Sequence, residues 1–189
     1  MSSKDYKKEE FNKIIEYSQQ GEEKAIEELI RRIQQNVFTM FNYLTNKKQD
    51  VYDLTQEALI KTALNIKNLK HPDTFKSWLN QIITNTYYDY IRKNSKNNKL
   101  DFDENKLMAI KDKLGCEPGE KCLISEMDKI IRIAILSLPQ NLRIAIILRE
   151  YEGLSYNEIS EITNTTIGTV KSRISRARMK LQHELKEFI

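Results

Sequence analysis

Between Lys171 and Lys180 the chain carries five cations, Lys171, Arg173, Arg176, Arg178 and Lys180, and no acid. Projected at about 100° per residue, Thr169, Ser172, Arg173, Arg176 and Lys180 share one side of a helix. Lys171 and Arg178 lie on the other edge, and Val170, Ile174, Ala177, Leu181 and Leu185 make the apolar stripe between. Such a helix fits a DNA major groove. Its guanidinium and hydroxyl groups can reach base edges while the flanking cations meet phosphates on either wall. For a bare run of charge, a solvated helix is the plainer reading. What precedes the run decides for the groove. Gly153 can end one helix in the left-handed region, and Ser155 with Glu158 forms a capping box for a short helix that turns Ile159 and Ile162 inward. Asn164 supplies the turn and Thr166 can cap the basic helix, which completes a helix-turn-helix.

A second chemistry-bearing face is predicted after the loop held by Pro72, on a helix that Asp73 or Thr74 can cap. Phe75, Leu79, Ile82, Ile83, Thr86 and Tyr90 form its buried side. Trp78, Gln81, Asn85, Tyr88 and Arg92 line up opposite, continued by Lys93 and Lys96. Aromatics, amides and a guanidinium together suit unpaired bases, since stacking contributes about 1 to 3 kcal/mol per base, enough to help hold a base out of the duplex. One aromatic at helical spacing more often packs on a neighbouring helix. The grouping with Asn85 and Arg92 favours bases.

A third stretch is a helix expected from near Val51, with Ala58, Leu59, Thr62, Ala63 and Ile66 on its core side. Its other side groups Asp53, Gln56 and Glu57 with Ile60 and Leu64. The pattern has two readings: scattered exposed aliphatics with first-turn acids that favour the helix dipole, or a partner-docking face with an apolar centre and polar rim. Spacing alone leaves both open.

These stretches need helices to position them. With 5 glycines and 3 prolines in 189 residues, and apolar residues recurring every three or four positions, the expected fold is all-α. Two small helical domains are expected, joined by a flexible linker. Residues 1–95 form the first, beginning with helices over Tyr6 to Gln19 and Glu22 to Thr45 that are separated by Gly21 and carry no chemistry. Residues 96–124, rich in Asn, Lys, Asp and Glu, read as the linker. Residues 125–189 form the second, with a helix from Ser125 to Leu138, another opened by Pro139 and running from Gln140 to Tyr151, and then the helix-turn-helix.

A net charge of +4 is too modest for a protein that coats nucleic acid alone, so affinity would need help. The N-terminal segment has no apolar run behind it, and nowhere are there the roughly 18 apolar residues of a membrane span. A cytoplasmic protein is expected. Cys116 and Cys122 read as free thiols, and His71 and His183 lie too far from them for a zinc site. No cluster of His, Cys and carboxylates has catalytic or ligand spacing, so no enzyme, cofactor, metal or small-molecule substrate is expected.

In chain order, the motifs DLTQEAL (Asp53 to Leu59), FKSWL (Phe75 to Leu79), NTYYDYIRK (Asn85 to Lys93), SLPQNLR (Ser137 to Arg143), EGLSYNEIS (Glu152 to Ser160) and GTVKSRISRAR (Gly168 to Arg178) resemble one family. It is the bacterial RNA polymerase sigma factors of the extracytoplasmic-function type, within the sigma-70 family, and the likeness runs from about Glu22 to Leu185. The resemblance implies a promoter-specificity subunit. Asp53, Leu54, Gln56, Glu57 and Ile60 would dock on core RNA polymerase. His71, Asp73 and Phe75 of the loop, with Trp78, Asn85, Tyr88 and Arg92, would take the unpaired minus-10 element. Thr166, Thr169, Lys171, Ser172, Arg173, Arg176 and Arg178 would meet the duplex minus-35 element. The implied partners are core polymerase, promoter DNA and an inhibitory, membrane-bound anti-sigma factor. Ser160, Asn164 and Thr165 depart from the family's usual Ala, Gly and aliphatic residue, which softens the turn's core and keeps its chemistry. The rival is a stand-alone helix-turn-helix regulator, which leaves the Trp78 to Arg92 face and the acidic-apolar patch without a task. An adaptor that binds only proteins is a third reading.

Overall fold

The computed structural model describes residues 6–95 and 120–186, with the backbone alone at 95 and at 120–126; every regular element among them is helical. Most of the expected linker, 96–119, lies outside the described residues, and Cys116 with it. The fold is two helical domains.

In the first domain, α1 (Phe11–Gln19), α2 (Glu23–Leu44), α3 (Lys48–Asn65) and α4 (Phe75–Ser95) pack around α2. Helix α2 buries Ala25, Leu29, Ile33, Val37, Met40, Phe41 and Leu44 at intervals of three and four, the spacing of one helical face. Ile14 and Ile15 of α1, Val51, Leu54 and Ala58 of α3, and Leu79 and Ile83 of α4 complete this core. The single helix expected over Tyr6 to Gln19 is instead a 3-10 turn, Tyr6–Lys8, followed by α1, with Glu10 extended between them. The competing interaction is tertiary. The Arg32 guanidinium donates to the carbonyls of Tyr6, Lys7 and Glu9 at 3.1, 3.0 and 3.0 Å and so takes acceptors a continuous helix would use. Before α4, the turn Pro72–Thr74 is closed by the Thr74 hydroxyl donating to the His71 carbonyl at 2.8 Å.

The second domain contains α5 (Glu120–Ser137), α6 (Gln140–Ile146) prolonged by a π turn (Ile147–Tyr151), α7 (Tyr156–Ile162) and α8 (Ile167–Leu185). The start expected at Ser125 falls inside α5. Local chemistry in the helix-turn-helix follows the sequence reading closely. Gly153 has φ 68° and Asn164 φ 49°, both left-handed. The Glu158 amide donates to Ser155 Oγ at 3.3 Å, and the Ser155 amide donates back to Glu158 Oε2 at 2.8 Å. Thr166 Oγ1 accepts from the Thr169 amide at 3.2 Å, and Val170, Ile174 and Ala177 are buried where α8 crosses α6.

The two domains touch. Arg143, 7% exposed, donates from Nη1 to the Leu44 carbonyl of α2 at 2.7 Å, and from Nη2 to the Leu136 and Leu138 carbonyls at 2.5 and 2.9 Å. Arg132 donates to the carbonyls of Asn42 and Thr45 at 2.8 and 3.2 Å.

Two outcomes follow for the turn and its capping box. A left-handed backbone costs a side chain about 1 to 2 kcal/mol, least for Asn and nothing for Gly. In thermal unfolding, Asn164→Gly should therefore match or exceed the parent, and Asn164→Val should lose about 1 to 2 kcal/mol. Hydrogen bonds from Ser77, then from Ser155, hold the Glu158 carboxyl below its ordinary value of 4.5. A carboxylate lowered in the folded state contributes stability above that ordinary value and loses it as pH falls through the lowered one. The stability difference between the parent and Glu158→Gln should accordingly be present at pH 6 and vanish on acidification through that window, as measured by denaturant melts.

Candidate nucleic-acid and partner interfaces

On α8, Lys171, Ser172, Arg176 and Arg178 are exposed, Thr169 and Arg173 are half-buried, and the N-cap Thr166 is exposed. A chain of short-range bonds sets the outward groups. Ser172 Oγ donates to the Thr169 carbonyl at 2.9 Å, and Arg176 reaches back to the Ser172 carbonyl and hydroxyl, both at 3.2 Å. Thr166 and Thr169 hydroxyls stand 3.0 Å apart. Hydroxyls and a guanidinium thus share one face, as base-edge contacts require. The two flanking cations are already engaged. Arg178 donates to Glu150 Oε1 from Nη2 at 2.6 Å and from Nε at 3.0 Å, and this acid raises its pKa. Lys171 Nζ lies 5.9 Å from the Tyr156 ring centre, and the Arg149 guanidinium sits 4.9 Å from that same centre. Both cations remain exposed and able to turn toward a phosphate.

Along α4, Trp78 is half-buried with its ring 5.9 Å from that of Phe75. Gln81 Nε2 donates to Asn85 Oδ1 at 3.0 Å, while Asn85 itself is exposed. Arg92 is exposed and donates to Asp89 at 2.5 Å. His71 and Asp73 are exposed on the loop. Phe75 is not available with them. It is 4% exposed and lies edge-on to Phe11 at 5.5 Å, so it anchors the loop and leaves contact to its neighbours. Tyr88 is half-buried; burial pushes its phenol pKa up, and the nearby Arg173 charge opposes that rise. The structure seats α7, the first helix of the helix-turn-helix, against α4. Ser77, which the sequence reading passed over, donates to Glu158 Oε1 at 2.5 Å, and Gln81, which it had placed on the outward face, donates to the Ile162 carbonyl at 3.1 Å.

On α3, Asp53 and Gln56 are exposed and Glu57 is half-buried. Ile60 is 51% exposed and Leu64 73%, so two aliphatic side chains one turn apart stand in solvent beside the acids. Gln49 donates to Asp53 at 3.1 Å and Lys61 pairs with Glu57 at 2.7 Å, which orders the polar rim. Tyr52, 52% exposed, extends the patch and leans on Phe38 with ring centres 5.3 Å apart. The sequence reading left it out, although it falls within the helix expected from near Val51 and four residues before Gln56. Leu54, grouped with these residues by resemblance, is 4% exposed, because its position falls with Val51 and Ala58 on the side facing the core. It supports the patch from below. No helix among the described residues is long and apolar enough to cross a membrane.

Residues 29–97 match the family Sigma-70 region 2, and residues 129–181 match Sigma-70, region 4. The chain is 34% identical over 181 residues to an ECF RNA polymerase sigma-E factor of Haemophilus influenzae, covering 93% of this chain and 95% of that one. It is also 34% identical over 181 residues to the ECF RNA polymerase sigma-E factor of Escherichia coli K12, covering 93% and 94%. Among solved structures, the sigma factor RpoE in complex with the anti-sigma factor NepR from Bartonella quintana superposes with a TM-score of 0.65 and 25% identity, across 85% of this chain and 96% of that one. With three surfaces in this order and two family regions to match them, the chain belongs to the extracytoplasmic-function RNA polymerase sigma factors, alternative sigma factors for transcription initiation.

Proposed function

We propose that the chain divides this work among its three surfaces, with residues 1–95 and 125–189 as the working domains and 96–124 between them. The α3 patch of Asp53, Gln56, Glu57 and Ile60, with Leu64 and Tyr52 added and Leu54 beneath, docks on core RNA polymerase. His71, Asp73, Trp78, Asn85, Tyr88 and Arg92 capture unpaired minus-10 bases, with Phe75 bracing their loop. Thr166, Thr169, Ser172, Arg173 and Arg176 read the minus-35 duplex, and Lys171 and Arg178 meet its phosphates. The chain supplies recognition and strand capture and performs no catalysis. Its place of work is the cytoplasm, and its inhibitor is an anti-sigma factor held at the membrane.

The observation that carries the reading is the apolar stripe of α3, with Ile60 at 51% and Leu64 at 73% exposure inside an acidic and amide rim. A contiguous patch of that kind marks a protein partner. A stand-alone helix-turn-helix regulator has no use for it.

Start sites mapped after overexpression define test promoters. Core polymerase with this chain alone should then give promoter-dependent run-off transcripts; no transcript on those templates would sink the reading. One good side-chain contact to a base edge contributes about 1 to 3 kcal/mol, so Arg173→Ala with Arg176→Ala should reduce transcription from minus-35-dependent templates at least tenfold. Ile60→Asp should weaken binding to core polymerase by a similar factor in a surface-immobilised assay, and change the melting temperature little, because about half of that side chain is already exposed.

A further inference from the structure

Spacing and residue type assign no chemistry to α1, and this helix lies before the region 2 match, which begins at residue 29. In the fold it packs on the 3-10 turn Ile66–Asn68 and on the turn Pro72–Thr74, which flank His71 at either end of its loop. The loop has two buried anchors. It begins at Leu69 and ends at Phe75, 5% and 4% exposed, while His71 and Asp73 stand in solvent between them.

A different side chain of α1 holds each anchor. Gln19 Nε2 donates to the Leu69 carbonyl at 2.5 Å, and the Phe11 ring meets the Phe75 ring edge-on at 5.5 Å. Asn12 Nδ2 adds a long bond of 3.5 Å to Asp73 Oδ1. Phe75 in turn lies 5.9 Å from the Trp78 ring, so the contact is passed on to α4. Just past α1, Gly21 at φ 85° leaves the space that Lys67 fills: a Cβ there would stand 2.9 Å from Lys67 Nζ. Ile14 and Ile15 already seat α1 in the core. Asn12 and Gln19, seven residues apart, fall on one helix face about 10 Å from each other along the axis. A helix cannot stretch as a loop can, so it fixes the distance between the points it holds.

We propose that α1 is the positioning element of the base-capturing loop, with Gln19 and Phe11 setting how selectively His71 and Asp73 hold an unpaired base. This deepens the capture reading of that loop and rests on it. A loop of exposed polar residues loses conformational freedom when it closes on a ligand, and one fixed at both ends beforehand loses less. The gain goes to the right base alone, because only that base meets the loop side chains in their held geometry. A replaced base leaves binding to phosphate contacts, which carry no sequence information. Loosening the hold of α1 therefore lowers the ratio between cognate and replaced strands. Gln19 and Phe11 act through Leu69 and Phe75 and touch no DNA themselves.

Holoenzyme reconstituted from core polymerase and each variant tests this by fluorescence anisotropy. The probes are fluorescein-labelled single strands carrying the minus-10 element of a mapped promoter, and copies with each minus-10 base replaced in turn. Gln19→Glu keeps the side chain's shape and sets a carboxylate in place of the donor against the Leu69 carbonyl. If it leaves the loop in its capture geometry about one-tenth of the time, affinity for the cognate strand falls about tenfold. Replaced strands should bind as they do to the parent, so discrimination falls by the same factor, with the melting temperature within about 4 °C of the parent's. Phe11→Ala releases the other anchor without changing charge and should lower the same ratio; it stands in if Gln19→Glu melts earlier. Gln20→Glu adds the same charge on an exposed side chain and should discriminate as the parent does. Parent-like discrimination by Gln19→Glu and Phe11→Ala, or equal losses for cognate and replaced strands, would overturn the proposal. Asp73→Ala with Asn85→Ala tests the capture reading itself. Parent-like discrimination there sinks that reading and this one with it, whereas a loss there beside parent-like Gln19→Glu sinks the role of α1 alone.

Discussion

Arg143 holds the second domain's corner and the first domain's edge with one guanidinium. Its Nη2 gathers the two carbonyls at the α5 to α6 corner, and its Nη1 takes the last carbonyl of α2, with Tyr87 Oη 3.5 Å away. Tyr87 in turn donates to that same Leu44 carbonyl at 2.8 Å. A helix end buried in a domain junction leaves its final carbonyls without intrahelical partners, and each buried orphan costs about 1 to 3 kcal/mol. Only a planar fork with several donors can serve carbonyls from two chain segments at once, which is why an arginine and not a lysine fits there. Further contacts between the domains lie at Arg132, Glu152, Ser77 and Gln81.

The electrostatic economy of the molecule follows the same logic of shared partners. A net charge of +4 spread over 189 residues gives weak general attraction to DNA, and the basic helix does not present all its charge outward. Glu150 holds Arg178, and the Tyr156 ring draws both Arg149 and Lys171. Ser172 and Arg176 are tied to each other on the outward face, which orients them before any duplex arrives. Groups already oriented lose less freedom on binding than free ones. Specificity is thereby favoured over bulk affinity, as suits a subunit positioned by a larger machine.

The helix-turn-helix was legible because its determinants act within four residues. Ser155 and Glu158 cap each other, Asn164 tolerates φ 49°, and Thr166 reaches the Thr169 amide, all without help from distant chain. The acidic-apolar patch was visible as a pattern with two meanings. Ile60 and Leu64 are exposed, as both readings require, so exposure does not choose between them. Leu54 and Phe75 show the opposite. Both were assigned contacts by motif position, yet both point into the core; helical spacing had already put Phe75 on the buried side, and only the structure showed it for Leu54.

From residue types and spacing alone came the all-α class, the two helical domains, the short capped helix and turn before a basic helix, and three candidate faces. Each follows from local backbone preference or from helical period, which depend on neighbours in sequence. Tertiary structure alone decided that the turn Tyr6–Lys8 breaks from α1, that Glu152 and Asn80 are buried, and that α7 is seated on α4. Those outcomes rest on bonds between groups 23 to 116 residues apart, such as Arg32 to Glu9 and Asn36 to Glu152. No periodicity encodes such pairs, because a carboxylate or guanidinium is equally at home in water until the fold brings its partner and removes the solvent.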